Sequence, residues 1–259
     1  MQLQNTIAIR PHFINAGGIF KAMLKGAIQP LSCVLLVPFS LLFPSLVSAY
    51  LYHVFKNQNG KILSFKQGLF ESFDLKAVVA SEIAYIIFIF ALFKFYIYKA
   101  AEYVEVYKVK ASVNKVLQIG TPEQIEYSHN LTTLICYLSI AVIVFNFVVY
   151  AYTMIKCHDL SSIETTVNPL KTAFRTVKIN FIGYLLALIT VIFVFCVIET
   201  YYARLKLMYL EAYILKTDGF DPTVAFLAIR FLVIHMFVYG LNLFTYDALG
   251  LNVKGKDKA

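Results

Sequence analysis

The sequence predicts an all-α membrane protein, a polytopic transmembrane helical bundle of about five spans joined by short amphipathic interfacial helices. Three observations predict it. Hydrophobic residues make up 59% of the 259 residues and charged residues only 15%, against roughly 45–50% and about 25% in ordinary globular chains. Mean hydropathy is +0.70, more apolar surface than one soluble core of this size can hide. The apolar residues also lie in long unbroken runs, without the alternation that barrel strands require. A hydrocarbon core about 30 Å thick needs roughly 20 such residues as a helix.

Five runs meet or approach that length, and the chain 1–259 reads as one integral membrane domain. The first, 27–55, is too long for an upright span and carries Pro30, Pro38 and Pro44. Each interior proline removes a backbone hydrogen bond, so one tilted, kinked helix is expected, with a re-entrant hairpin as the alternative. The others are 77–98, 131–155, 179–202 and 223–244. The last opens on Asp221-Pro222, an acceptor side chain followed by proline at the first helical position.

Between the second and third spans a helical extramembrane hairpin is expected over 99–130. Gly120 is a stop signal and Thr121-Pro122-Glu123 a new start. Three spans follow short amphipathic stretches of similar wording: Phe20-Lys21-Ala22-Met23-Leu24-Lys25, Phe65-Lys66-Gln67-Gly68-Leu69-Phe70 and Leu170-Lys171-Thr172-Ala173-Phe174-Arg175. Each sets apolar residues beside cations, as a helix lying in the membrane interface does. The third follows Asn168-Pro169, another cap-plus-proline start.

The net charge is +8. The basic residues flank the apolar runs, where a membrane protein meets anionic headgroups, so the lipid bilayer is the expected partner and nucleic acid is not. Five spans would place Lys21 and Lys25 opposite Lys171 and Arg175. They would also divide the basic residues almost evenly between the two sides, leaving orientation undecided. The N-terminus lacks the parts of a secretory signal. Location in a bacterial inner membrane or an organelle membrane is expected.

Charged and polar residues inside the spans are the candidate site residues, because a charge at a helix centre costs about 2.5–3.5 kcal/mol or more. Arg230 lies about 10 Å into the fifth span and needs a partner; Glu199 is first choice, then Asp221 and Glu82. Glu82 and Lys94 sit near opposite ends of the second span, too far apart to pair, and Lys94 can snorkel. His235 and Asn242 share a face of the fifth span, and Asn146 lies midway along the third. These three could line a polar seam or simply bond between helices. Ala77, Ala80, Ser81, Ala84 and Ala91 form a small-residue face on the second helix, suited to packing inside the bundle or against another subunit.

Other motifs carry little. The four cysteines, Cys33, Cys136, Cys157 and Cys196, show no disulfide or zinc spacing. Cys157-His158-Asp159 lacks a second ligand cluster. Asn130-Leu131-Thr132 fits a glycosylation sequon but abuts a span. P-loop, nucleophile-elbow, zinc-protease and dinucleotide motifs are missing. No metal, cofactor or enzymatic activity is expected. The leading functional reading is a non-catalytic subunit or assembly factor of a membrane complex, partnered by other membrane subunits or by itself. A small transporter or channel component is the alternative, and a lipid-modifying membrane enzyme the third.

Overall fold

The computed structural model describes residues 9–27, 40, 42–56, 75–114, 122–161, 168–215 and 219–251. Among them are seven helices and no strand: α1 (Gly17–Ala27), α2 (Pro44–Lys56), α3 (Leu75–Asn114), α4 (Pro122–Ser161), α5 (Pro169–Ile179), α6 (Phe181–Ile214) and α7 (Thr223–Ala248). Four are long and apolar enough to cross a membrane, over Val78–Glu105, Glu126–His158, Phe181–Ile214 and Thr223–Ala248. The protein is therefore an all-α multi-pass membrane protein. These four correspond to the second to fifth expected spans.

The first expected span, 27–55, is not one helix where it is described. Its residues 28–39 and 41 lie outside the described residues, residue 27 ends α1, and α2 starts afresh at Pro44. Proline fits the first turn of a helix, where its missing N–H is no loss. At 13 residues α2 is about 20 Å long, short of a bilayer crossing. The amphipathic stretches at 20–25 and 170–175 lie in α1 and α5; the one at 65–70, and the expected turn at Gly120, fall outside the described residues. α3 and α4 have 40 residues each, about 60 Å, twice the hydrocarbon thickness.

The helices fall into two compact units, Met1–Val79 with Phe147–Ala259, and Ala80–Asn146. In the first, α7 is the common partner of α1, α2 and α6. α1 runs antiparallel to α7, Met23 lying at Gly240 and Gly26 at Met236 and Tyr239. A Cβ on Gly240 would stand 2.7 Å from Met23 Cα and 2.9 Å from its nitrogen, so the two backbones are in direct contact. A Cβ on Gly183 would likewise run into the Phe244 ring, which lets α6 close on α7.

One end of this unit is tied together by polar groups. Asn180, buried between α5 and α6, accepts from the Ile14 N–H at 2.8 Å and donates to the carbonyls of His12 at 3.0 Å and Thr176 at 3.1 Å. The N–H groups of Arg10 and His12 donate to the carbonyls of Leu249 and Ala248. α7 stops there in a Schellman turn. Gly250 adopts φ 74°, its N–H bonds to the Asp247 carbonyl, and the Leu251 N–H reaches Tyr246. α7 thus runs past the expected end at 244.

α5 starts as expected: Asn168 Oδ1 accepts from the Lys171 N–H at 3.1 Å, with Pro169 behind it. The core of the unit is rich in tyrosine, with Tyr50, Tyr52, Tyr150, Tyr184, Tyr239 and Tyr246 all buried. Tyr184 shares a hydrogen bond of 2.8 Å with Thr245, stacks on Phe147 and meets the edge of Phe244. In the second unit, Phe88 stacks on Phe145 at 4.1 Å between α3 and α4.

The Gly240 contact yields a first prediction. Gly240→Ala forces α1 away from α7 and should destabilise the protein by about 1–3 kcal/mol. Gly17→Ala, whose Cβ would meet only the Asn15 Oδ1 at 3.9 Å, should be neutral. Thermal unfolding of both variants in one detergent compares them; equal melting temperatures would refute the backbone contact.

Candidate functional site

Four charged residues, Arg230, Glu199, Lys206 and Asp221, gather where α6 and α7 run side by side, away from the Asn180 end. Arg230 donates from Nε to Glu199 Oε1 and from Nη2 to Oε2, both at 2.7 Å, a bidentate, charge-assisted pair. Its guanidinium also lies over the Tyr202 ring, 4.5 Å from the centroid. Glu199 is thus the carboxylate that Arg230 requires, and Asp221 and Glu82 are not. Asp221 has its own partner: Lys206 Nζ donates to it at 2.9 Å, and the Thr223 N–H and hydroxyl donate at 3.0 and 2.6 Å.

Asp221 therefore caps the start of α7, with Pro222 between it and the first helical residue. These donors, Thr223 first and then Lys206, hold the Asp221 carboxyl well below its ordinary range, at about 2. Lys206 also donates to the Thr223 hydroxyl at 3.0 Å and lies over the Tyr209 ring. Tyr202 packs against Phe226. The result is a ladder of two neutralised ion pairs and two tyrosines stitching α6 to α7. Beside it, Cys196, Val197, Thr200, Tyr201 and Arg204 line a shallow, open depression on one helix.

The other candidate residues lie elsewhere. In the second unit Glu82, Ser81 and Asn146 are buried, and Asn146 hydrogen-bonds Tyr85. Lys94 is exposed on α3 and lies over the Phe90 ring. In the first unit His235 and Asn242 are buried on α7. His235 lies beside the Tyr239 ring, while Asn242 Nδ2 turns back onto the Val238 carbonyl of its own helix at 2.8 Å. His158 of the Cys-His-Asp run is hydrogen-bonded to the Tyr52 hydroxyl at 3.2 Å. Among the described residues no group of three or more His, Cys, Asp or Glu could hold a metal ion.

The small-residue face divides in burial. Ser81 is buried, but Ala80, Ala84 and Ala91 are exposed, and the side chain of Ala77 lies outside the described residues. α3 packs within its unit through Ser81, Glu82, Tyr85 and Phe88. Stacking on Phe145 gains more contact area there than alanine could supply. The alanine stripe is thus not the inward face.

Sequence reasoning missed Asn180, Tyr184 with Thr245, and Ser48, whose hydroxyl donates to the Tyr150 carbonyl. Asn180 stands at the head of an apolar run behind a cationic stretch, which is a readable helix-boundary signal. The other contacts leave no local signal.

No protein-family model, curated protein or solved structure matches the chain.

Two predictions follow from the ladder. Glu199→Gln leaves the Arg230 charge without its counter-ion, so its melting temperature should fall. Adding Arg230→Met should recover most of the loss, since removing both partners is cheaper than removing one; additive losses would contradict the pairing. Asp221 has a folded value below its ordinary 3.8. Its contribution to stability is therefore complete above about pH 4 and lost as pH falls towards about 2. A pH series of melting temperatures should show that loss in the wild type, reduced in Asp221→Asn.

Proposed function

We propose that the protein is a non-catalytic component of a membrane complex, a subunit or assembly factor that binds another membrane protein through α3. One observation carries the reading: Ala80, Ala84 and Ala91 lie along one side of α3 and are exposed, although small residues in a membrane helix are suited to close helix contact. Around them Ile83, Ile87 and Phe90 are also exposed, an apolar surface that either lipid or a second helix can cover.

The charged residues support the same reading. Arg230, Glu199, Lys206 and Asp221 spend their charges on one another and on Thr223, which suits a role in helix packing. A lipid-modifying enzyme would need carboxylates or histidines free at one headgroup level, and Glu199 and Asp221 are both engaged. A transporter component is the second reading. Glu82 favours it, a buried acid near Tyr85 and Asn146 within an apolar unit, since intramembrane carboxylates commonly serve proton or ion pathways.

Extraction in mild detergent, followed by sizing and mass spectrometry, tests the leading reading. The expected result is a particle larger than the monomer, with another membrane protein in fixed ratio. Ala84→Leu should release that protein without lowering the melting temperature, because residue 84 is exposed. A clean monomer from the wild type would sink the proposal and turn attention to Glu82→Gln in a flux assay.

A further inference from the structure

We propose that Glu82 and Asn146 form a buried proton-binding site between α3 and α4, in which the Glu82 carboxyl carries the proton and Asn146 Oδ1 accepts it in a hydrogen bond. Two polar side chains are brought together here from different helices. Glu82 is 9% exposed and Asn146 7%. Tyr85, one turn beyond Glu82 on α3, is 3% exposed and links them: Asn146 hydrogen-bonds it, and it lies within electrostatic reach of Glu82. Ser81, next to Glu82, is buried as well.

Phe145 covers the group with an aromatic ring. It stacks on Tyr85 at 6.4 Å and on Phe88 at 4.1 Å between centroids. The depth of the site follows from α4. Lys156 is the first cation after Asn146 on that helix, and ten residues of helix span about 15 Å, half the hydrocarbon thickness. The titratable group shown beside Glu82 is Tyr85. Lys94 is about 18 Å further along α3, over the Phe90 ring, and Asn146 and Phe145 of α4 do not titrate.

The unmet need in this cluster is a donor. Asn146 Oδ1 is buried and no hydrogen bond reaches it, and buried carbonyl oxygens are ordinarily satisfied. An ionised carboxylate only accepts, but a protonated one has an O–H to give. A proton on Glu82 therefore has two effects. It removes a charge from the membrane interior, where carboxylates are costly, and it supplies the donor that Oδ1 lacks. A hard metal ion would ask for about six oxygens, more than these four side chains bring. The site rests on neither reading of the function above, since a proton can be held with no partner bound and no flux.

Dicyclohexylcarbodiimide tests the site, because it reacts with protonated carboxyls in apolar surroundings. The acid proton passes to a carbodiimide nitrogen, the carboxyl oxygen bonds the central carbon, and the adduct rearranges to an N-acylurea with nothing lost. The full chain in phosphatidylcholine nanodiscs is treated at neutral pH, and labelled carboxyls are located by peptide mass spectrometry. An ordinary carboxyl is ionised there by more than about a hundredfold, so Glu82 should label at least about tenfold more than Glu211, which is exposed. Glu82→Gln should lose the label, and sodium exchanged for choline should not protect. In infrared spectra the carboxylic-acid C=O band should vanish in Glu82→Gln and move to higher frequency in Asn146→Leu, where the O–H has lost its acceptor. Labelling no greater than that of Glu211, protection by sodium at constant pH, or an acid band unmoved in Asn146→Leu would overturn the proposal. The first two are read on the wild type, whether or not the variants fold.

Discussion

Because Gly240 has no side chain, Met23 of α1 lies on it backbone to backbone, and Gly26 makes a similar approach to Met236 one turn further along. Lipid tails are as apolar as leucine, so helices in a bilayer associate through close packing and not by escaping water. A glycine contact of this kind fixes position as well as energy, since neither helix can slide without driving a Cα into a side chain. α7 is gripped in turn by α6, where the Phe244 ring fills the space over Gly183. The first unit is built around one helix, and glycines decide what lies against it.

That contact bears on how often the chain crosses the membrane. α1 is held on the C-terminal half of α7, and Asn180 binds the segment ahead of α1 to the joint between α5 and α6. α1 consequently starts, and α5 ends, at the same end of the unit. The five-span expectation placed Lys21 and Lys25 opposite Lys171 and Arg175; the Asn180 hydrogen bonds set the segment ahead of α1 beside the end of α5. α3 and α4 separate α1 from α5 in the chain, and two crossings return a chain to the side it left. Four long helices satisfy that parity, and a single crossing between α1 and α3 would break it. The short α2 meets α7 through Phe55 and Tyr239.

What the sequence made legible depended on how local the signal was. The four long helices show as unbroken apolar runs, and the Asn168 and Asp221 caps as an acceptor followed by proline. Arg230 and Glu199 were legible for a different reason: a charge in a span needs a counter-ion, and a helical hairpin offers few. The Tyr184–Thr245 bond joins residues 61 apart, and the Ile14–Asn180 bond residues 166 apart; nothing near either residue announces its partner. The proline-rich first run misled because proline reads equally as a kink within a helix and as the start of a new one. On α3 the alanines drew attention as a packing face, yet Phe88 and Tyr85 make the contacts, since aromatic stacking needs no small residues.

Polar chemistry is distributed along the first unit by the same logic of satisfaction. In the interior, hydroxyls are turned onto neighbours or their own helix: Tyr184 meets Thr245, Thr245 back-bonds to the Leu241 carbonyl, and Thr176 to Thr172. Along the α6–α7 ladder, Arg230 pairs with Glu199 and Lys206 with Asp221. At the Asn180 end, backbone groups exposed by helix termini are consumed by the N-terminal segment and by the Schellman turn at Gly250. The cations of α1 and α5 have no acid within either helix to meet.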